Sequence, residues 1–332
     1  MPEPLSLNAI LESAAADAGF PAFGGVDIAR AQADFLKHAD RYDAWISRGM
    51  EGAMSYLQRG RDRRRDPAMV LPGARSVFSV LMPYRKGPLG RADSREGPRY
   101  ARYLDGPDYH DVLSEKLEAM MKDVCARWAD QVRADLMPFS LRYKVCVDTS
   151  AVLERSWAAL SGLGWIGKNT LLIHPRLGSY VFIGEVLLDQ ELGLGPRPIA
   201  DYCGSCTRCL DSCPTKAFVA AHDLDSRKCI SYLTLEKRGE FEAPAEVLDQ
   251  MGPWVAGCDV CQEVCPFNLR AVKAASGEAA AQGAVVQDRW EDLMNESLEA
   301  YAARVKGSAL SRVKPEQFKR NLDQALKNSN LS

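Results

Sequence analysis

The spacing of the cysteines constrains this chain more than any other feature of its sequence. Ten cysteines occur in 332 residues, and eight of them lie between positions 203 and 265. The run Cys203, Cys206, Cys209, Cys213 and Pro214 reads C-x2-C-x2-C-x3-C-P, a spacing with which bacterial proteins bind [4Fe-4S] clusters. In such a run three thiolates hold one cluster and the fourth ligates another. The run therefore predicts two clusters.

The ligands of the second cluster follow from the other cysteines of the region. Cys258, Cys261 and Cys265 form the reciprocal motif C-x2-C-x3-C-P, and Cys229 adds a thiolate from a segment expected to be helical over 226–236. The motifs assign one cluster to Cys203, Cys206, Cys209 and Cys265, and the other to Cys229, Cys258, Cys261 and Cys213. A structural zinc site is the alternative, but zinc prefers separated C-x2-C pairs around one ion.

Composition and hydropathy exclude several other classes of protein. A hydrophobic content of 46% and a mean hydropathy of -0.24 are typical of a soluble chain with two or three small domains. We find no apolar run of about 18 residues and no signal peptide at the N-terminus. We therefore expect a cytoplasmic protein with no membrane partner, in which cysteines ligate metal and do not form disulfides.

Positive charge is concentrated in one stretch of the chain. The formal net charge is -2, yet residues 55–102 hold twelve Lys or Arg against four acids, which is a local +8. Such a concentration attracts polyanions, although a solvated loop face is an equal alternative.

The pattern of apolar residues predicts a fold with three parts. Residues 1–198 alternate helical patterns with short apolar runs, which indicates an α/β domain. Strands are expected at 23–26, 76–82, 142–147, 171–174 and 180–188. A linker rich in Gly and Pro at 193–198 precedes the cluster domain, 199–268, and a helical C-terminal segment, 269–332, with helical patterns at 290–303 and 315–328.

Glycines at 162, 164 and 167, followed by Lys168, partly match two phosphate-binding motifs. A dinucleotide-binding fingerprint must follow a strand, whereas 151–161 has a helical pattern. A P-loop requires Ser or Thr where Asn169 stands. We therefore interpret the glycines as a crossing from helix to strand.

Asp148 is the candidate acid, because it stands at the end of an apolar strand. It can cap the next helix, or it can act as a general acid with a raised pKa if apolar surface surrounds it. The sequence alone does not distinguish the helix cap from the general acid. The four histidines show no metal-ligand spacing; Asp108, Tyr109 and His110 begin like a cobalt-binding D-x-H-x-x-G element, but Leu113 replaces the glycine.

Several segments together resemble the epoxyqueuosine reductases, which are cobalamin and iron-sulfur enzymes of tRNA modification. The matching segments are GMEGAMSYL (49–57), DPAMVLPGA (66–74), DYHDVL (108–113), DTSAVLERSWAALSGLGWIGKNT (148–170), GSYVFIGE (178–185), YCGSCTRCLDSCPT (202–215), RKCISYL (227–233), GCDVCQEVCPFN (257–268) and FKRNLDQALKN (318–328). They occur in order over nearly the whole chain.

The resemblance implies a corrinoid-binding α/β domain, similar to nitroreductases and reductive dehalogenases, fused to a ferredoxin-like domain with two [4Fe-4S] clusters and a short helical tail. It implies an oxidoreductase that converts epoxyqueuosine to queuosine at the wobble position of tRNA anticodons, the last step of queuosine biosynthesis. Asp148 matches the family's proton donor. Corrinoid contacts carry over by position to Arg64, Ala101, Asp148, Leu172, Ile183 and Ser231, with no histidine ligand to cobalt expected.

The implied partners are a tRNA anticodon stem-loop and a low-potential electron donor that the sequence does not identify, and a monomer is one option for the oligomeric state. The +8 stretch and Lys237-Arg238 become candidate phosphate contacts. Two alternatives remain open: a corrinoid reductase of a small molecule, similar to reductive dehalogenases, and a non-catalytic electron-transfer protein.

Overall fold

The computed structural model of the chain describes residues 5–84, 97–131, 141–274, 286 and 289–330. The strands are β1 (Ala22–Asp27), β2 (Ser76–Pro83), β3 (Arg99–Tyr100), β4 (Tyr143–Cys146), β5 (Trp165–Ile166), β6 (Leu172–Ile173), β7 (Val181–Leu188), β8 (Phe218–Ala220), β9 (Asp223–Leu224) and β10 (Trp254–Ala256). The helices are α1 (Leu7–Asp17), α2 (Ile28–Ser47), α3 (Ser55–Arg59), α4 (Arg61–Arg65), α5 (Tyr109–Gln131), α6 (Glu154–Leu160), α7 (Arg208–Asp211), α8 (Ala245–Asp249), α9 (Val260–Glu263), α10 (Pro266–Ala274), α11 (Trp290–Met294), α12 (Leu298–Arg304) and α13 (Pro315–Asn328). None of the described helices is long and apolar enough to cross a membrane.

A four-stranded sheet forms the middle layer of the N-terminal part. Its order is β1-β2-β7-β4, and every neighbouring pair is antiparallel. Side chains of β2 alternate between the two faces, as the period of a strand requires. Phe78 and Val80 pack with α1 and α5, whereas Val77 packs with α2 and α6. The strands expected from the sequence in this part are all present.

The cluster region, 202–268, contains short elements around its cysteines. Cys209 lies in α7 and Cys261 in α9, and these two helices pack together. The helix expected over 226–236 is broken. Cys229 has an extended backbone between a 3-10 turn (Ser226–Lys228) and a π-helix (Tyr232–Glu236), so it is not part of one continuous helix.

The C-terminal helices pack on the rest of the molecule. Residues of α12 and α13 share a buried core with Leu104 and with Val255 of β10. Asn321 donates to the carbonyl oxygens of Thr234 and Val255 at 2.8 and 2.9 Å. Because the first bond satisfies a carbonyl of the π-helix and the second one of β10, α13 holds the backbone that follows Cys229 against β10.

A buried hydrogen-bond network joins the sheet to the cluster region. The Asn268 side chain accepts from the Ser179 amide at 2.7 Å and donates to the Ser179 hydroxyl at 2.9 Å. The Ser179 hydroxyl donates to Gln262 at 2.9 Å, and Gln262 donates to Asp259 at 2.9 Å. Asp259 accepts from the backbone of Arg102 at 2.7 Å. The two regions are therefore held by fully paired polar groups.

We expect Asn268→Ala to lower the free energy of unfolding by about 2–3 kcal/mol, because the buried Ser179 amide loses its partner. The control is Asn295→Ala, which removes one exposed bond to Glu291 and should change the value by less than about 0.5 kcal/mol. Urea-induced unfolding followed by tryptophan fluorescence measures both. Equal effects of the two substitutions would contradict the importance of the network.

Candidate active site

The motifs divide the eight cysteines into two groups of four. The first group is Cys203, Cys206, Cys209 and Cys265, and the second is Cys213, Cys229, Cys258 and Cys261. In each group negative charge on one thiol raises the pKa of another, and Cys209 also acts on Cys261 of the second group, so the thiols share one region. The division into two ligand sets stays a prediction of the motifs.

The protein acts on these thiols in two opposite ways. Burial raises the pKa of Cys209 to about 11 and also raises that of Cys265, while the amides of Phe267 and Asn268 act on Cys265 in the opposite direction. The amide of Ala217 donates to the sulfur of Cys213 at 3.3 Å. Amide donors to cysteine sulfur are a feature of [4Fe-4S] sites and help to set their potential.

The spacing of the thiols also bears on the zinc alternative. Within the described ranges, no group of three or more His, Cys, Asp or Glu side chains is close enough to hold a single metal ion. A structural zinc site places four ligands about 2–2.3 Å from one ion, whereas the thiolates around a cube bind separate iron atoms. An all-cysteine donor set is the one that [4Fe-4S] clusters take in proteins.

Asp148 occupies a strained turn after β4. Its φ of 53° lies in the left-handed region, which a non-glycine residue adopts only when its surroundings hold it there. Helix α6 begins at Glu154 with Leu153 as its N-cap, so the helix-capping alternative for Asp148 is wrong. The turn presents the Asp148 carboxylate to solvent, with 56% of the side chain exposed.

The Asp148 carboxylate pairs with His110. Its Oδ2 lies 3.0 Å from Nε2 of His110, and Nδ1 of His110 lies 2.5 Å from Asp108. Burial opposes the charged forms of both partners, but the hydrogen bonds and charges outweigh it. They raise the pKa of His110 and lower the pKa of Asp148. The raised pKa considered for Asp148 is therefore wrong, and the proton of the pair resides on His110.

Glu154 lies on the backbone side of the same turn. Its carboxyl accepts a hydrogen bond from the amide of Asp148. Burial, and then the charge of Asp148, raise the pKa of Glu154 to about 8. At neutral pH the turn therefore has a charged carboxylate at Asp148 and an uncharged carboxyl at Glu154. The two carboxyl groups differ in protonation state because their surroundings differ.

Side chains from several elements act on Asp148, and we call the space beside its carboxylate the cavity. The Tyr56 side chain is partly exposed to solvent. Nearby protein nevertheless removes part of its hydration and so raises its pKa, and the negative charges of Glu236 and Asp148 raise that pKa further. Tyr109 and the cation of Arg312 also act on Asp148. Side chains that are exposed and nonetheless lose hydration to nearby protein are typical of a concave site.

Comparisons with known proteins decide which family this site belongs to. The family described as "Epoxyqueuosine reductase QueG, DUF1730" matches residues 64–149, and the "4Fe-4S double cluster binding domain" matches residues 202–268. Epoxyqueuosine reductase from Pseudomonas aeruginosa is 35% identical over 99% of this chain and 87% of its own length. The one from Gloeobacter violaceus is 39% identical over 92% of each chain. The chain belongs to the epoxyqueuosine reductase family.

Solved structures agree with this assignment. A crystal structure of epoxyqueuosine reductase with an epoxyqueuosine-modified tRNA-Tyr stem loop has a TM-score of 0.79 and 28% identity, over 97% of this chain and 81% of that one. The Bacillus subtilis enzyme, solved with an aspartate catalytic loop swung out of the active site, has a TM-score of 0.76 and 26% identity over the same shares. The expected fold class, the oxidoreductase class and a domain for two [4Fe-4S] clusters are confirmed.

Two of the positions expected to contact a corrinoid have partly exposed side chains, and a third lies close to the Asp148 turn. Arg64 in α4 is only 8% exposed, but it acts electrostatically on Tyr56 and on Glu154, which bonds to the Asp148 amide. Ile183 in β7 and Ser231, just before the π-helix, are partly exposed. Together with Asp148, these residues lie on separate elements of the family's fold.

The other two positions are buried. Ala101 is 2% exposed and Leu172 is 3% exposed, each within an apolar core. Both polar backbone atoms of Ala101 already have protein partners, namely the Ala256 oxygen at 2.8 Å and the Leu104 amide at 3.1 Å. These two residues therefore support the wall of a site more than they present a side chain to it.

Acids from distant segments neutralise much of the basic stretch over 55–102. The ion pairs are Arg61 with Asp43, Arg65 with Asp40 and Asp43, Arg75 with Glu191, and Arg99 with Glu263. Lys237 is buried and pairs with Glu242 at 2.5 Å. The net positive charge at the surface of the described part of this stretch is therefore smaller than the expected +8. Four of its cations, Arg85, Lys86, Arg91 and Arg95, lie outside the described residues.

Sequence reasoning missed several groups of this site. His110 belongs to a matching segment, DYHDVL, and Tyr56 belongs to GMEGAMSYL, so the family segments contained a signal for both. Glu154 also lies in a matching segment, but its uncharged state depends on burial. Arg312 lies outside the matching segments, and no pattern in the sequence distinguished it from other surface arginines.

The two thiol groups predict different outcomes for two double variants. Cys209→Ala/Cys265→Ala removes two ligands of one cluster, so about four iron atoms per chain should remain. Cys213→Ala/Cys265→Ala removes one ligand from each cluster, so both should be damaged. Iron and sulfide analysis after anaerobic reconstitution measures this. Equal iron contents in the two variants would refute the interlocked grouping.

Proposed function

We propose that this protein reduces epoxyqueuosine to queuosine at the wobble position of tRNA anticodons, the last step of queuosine biosynthesis. The observation that carries the proposal is the similarity, over 97% of the chain, to an epoxyqueuosine reductase solved with its modified tRNA stem loop. The reaction breaks both C–O bonds of an epoxide and leaves an alkene. It consumes two electrons and two protons, and the oxygen leaves as water.

Asp148 and His110 supply the first proton in this proposal. Asp148 faces the cavity and is the group that would touch the epoxide oxygen, while His110 holds the proton behind it at 3.0 Å. As negative charge develops on the oxygen, the proton moves from His110 to Asp148 and on to the oxygen. Asp108 stabilises the imidazolium and orients its ring through Nδ1. The aspartate catalytic loop of the Bacillus subtilis relative supports this role for Asp148.

We propose that a corrinoid binds in the cavity around Asp148. The aromatic side chains of Tyr56 and Tyr109 lie near Asp148, and both ring nitrogens of His110 are engaged by carboxylates, which supports a cobalamin without a histidine ligand. When bound, cobalamin supplies a strongly reducing metal centre for the epoxide carbon. We assign its contacts to Arg64, Asp148, Ile183 and Ser231, with Ala101 and Leu172 behind them.

The two thiol groups suggest an order for electron transfer. Tyr103 is affected by the charges of both Asp148 and Asp259, and Asp259 follows Cys258. The second group, with Cys258, is therefore on the cavity side. The first group lies beside Tyr202, which is 60% exposed. We propose that a low-potential donor reduces the first cluster, and that the second passes electrons onward one at a time.

Three exposed arginines remain as candidate phosphate contacts for the anticodon stem-loop. Arg59 and Arg63 lie beside Arg64 of the cavity, and Arg312 acts on Asp148 directly. Lys and Arg that neutralise RNA phosphates position the strand without reading its sequence. We also propose that the enzyme acts in the cytoplasm, that it can act as a monomer, and that its three parts meet near residues 198 and 268.

The test is an anaerobic conversion assay with reconstituted clusters, cobalamin, a low-potential reductant and tRNA that contains epoxyqueuosine. Mass spectrometry of the digested nucleosides should show the loss of one oxygen, dependent on cobalamin. Asp148→Asn should keep iron and cobalamin yet lower turnover at least about 100-fold. Asp111→Asn, an exposed acid of α5, should retain turnover. No conversion by the wild-type protein with both cofactors bound would refute the tRNA reaction in favour of a small-molecule substrate.

The raised pKa of His110 predicts the pH dependence. The imidazolium is fully present below that pKa and is lost as the pH rises through it, so turnover should fall on the alkaline side. His110→Gln removes the titrating group; it should lower turnover about 10- to 100-fold and flatten that decline. Single-turnover rates between about pH 6 and pH 9 measure both. An alkaline decline that persists unchanged in His110→Gln would assign the titration to another group.

A further inference from the structure

The glycine-rich loop over 162–168 has a role that its resemblance to phosphate-binding motifs does not explain. The stretch leads from α6 through β5, as the expected crossing from helix to strand, and its glycines allow close packing on β6. A Cβ at Gly164, whose φ is 155°, would lie 2.3 Å from the carbonyl oxygen of Ile173. A Cβ at Gly167 would lie 2.4 Å from the Ile173 side chain. The glycines thus serve packing, which leaves Lys168 to be explained.

Lys168 reaches across to the cluster region. Its Nζ donates to the carbonyl oxygen of Gly204 at 2.6 Å and to that of Cys206 at 3.0 Å. Its backbone N–H also faces the thiol of Cys203. One residue of the sheet domain therefore makes three contacts to the loop that carries the first thiol group.

The other side of this loop is also held. The amide of His222 donates to the Lys168 carbonyl oxygen at 2.9 Å, and Nδ1 of His222 lies 3.0 Å from the Gly167 oxygen. On the cluster side, Asp201 accepts from the Cys203 amide at 2.7 Å. Lys168 is therefore fixed between the β8–β9 hairpin and the 201–206 loop, so its ammonium has a defined place.

We propose that Lys168 is a positioning residue for the cluster held by the first thiol group, and that its ammonium raises the reduction potential of that cluster. Reduction of a [4Fe-4S] cluster from the 2+ to the 1+ state adds one electron and, in this case, no proton. The reduced form, with four thiolates, carries one more negative charge. A fixed cation nearby stabilises that form more than the oxidised form.

The effect should be specific to one cluster. The side-chain bonds of Lys168 go to residues 204 and 206, which lie among the ligands of the first group. The second group lies toward Asp259 and Tyr84, on the cavity side. A higher potential at the exposed first cluster favours electron uptake from the donor. This inference rests on the proposed ligand sets and not on the tRNA reaction.

The test is a redox titration of the reconstituted protein, followed by electron paramagnetic resonance. In Lys168→Met one of the two cluster midpoint potentials should become more negative while the other stays unchanged. Lys168→Arg retains the charge and should titrate close to the wild-type protein. Lys122→Met, an exposed lysine of α5, is the matched control and should change neither potential.

The outcomes separate this inference from the proposed function, because the titration needs no tRNA. Wild-type potentials in Lys168→Met, or equal shifts of both potentials, would overturn the inference even if tRNA is reduced. A shift of one potential supports it even if no tRNA is reduced. If Lys168→Met retains only one cluster, Lys168→Gln, which keeps a donor without the charge, is titrated in its place with the same expected shift.

Discussion

The buried hydrogen bonds among Ser179, Gln262, Asn268 and Asp259 hold the two working parts of this molecule together. Each donor and acceptor in this network has a partner, and the network ends at the backbone amide of Arg102, beside the cavity. A paired polar network in a buried site permits one relative position only, because any shift leaves polar groups unsatisfied. Passing single electrons between separate centres requires such a fixed separation.

The charge distribution in the cavity depends on a second constraint: two carboxyl groups of the same turn are hydrated to different extents. Asp148 and Glu154 meet at one turn, yet His110 keeps Asp148 charged while burial keeps Glu154 neutral. The proton of this pair therefore lies on His110, next to the exposed carboxylate. The strained φ of Asp148 and its bond to Glu154 place that carboxylate. Small shifts of the turn would break both contacts, and a relative of this family has been solved with its aspartate loop swung out.

The formal charge counted from the sequence differs from the charge that the folded protein leaves without ion pairs. The stretch over 55–102 carries a formal +8, but Asp40 and Asp43 of α2, Glu191 and Glu263 fold against its arginines. Arg312 comes from the opposite end of the chain and reaches the cavity that the stretch was expected to serve. A cation that acts on Asp148 therefore comes from outside the longest run of arginines.

The sequence by itself determined the two cluster sites, the strands of the sheet and the candidate acid. The cluster sites can be predicted from sequence because a [4Fe-4S] cluster takes several of its ligands from one short run of residues. The strands can be predicted because the side chains of a strand alternate between its two faces with a period of two residues. Only the tertiary structure decided that His110 pairs with Asp148, 38 residues away, that Glu154 is neutral, and that Lys168 contacts the cluster loop. The reason is physical: burial and the distances between charges set protonation and ion pairing, and both are defined only when distant segments of the chain meet.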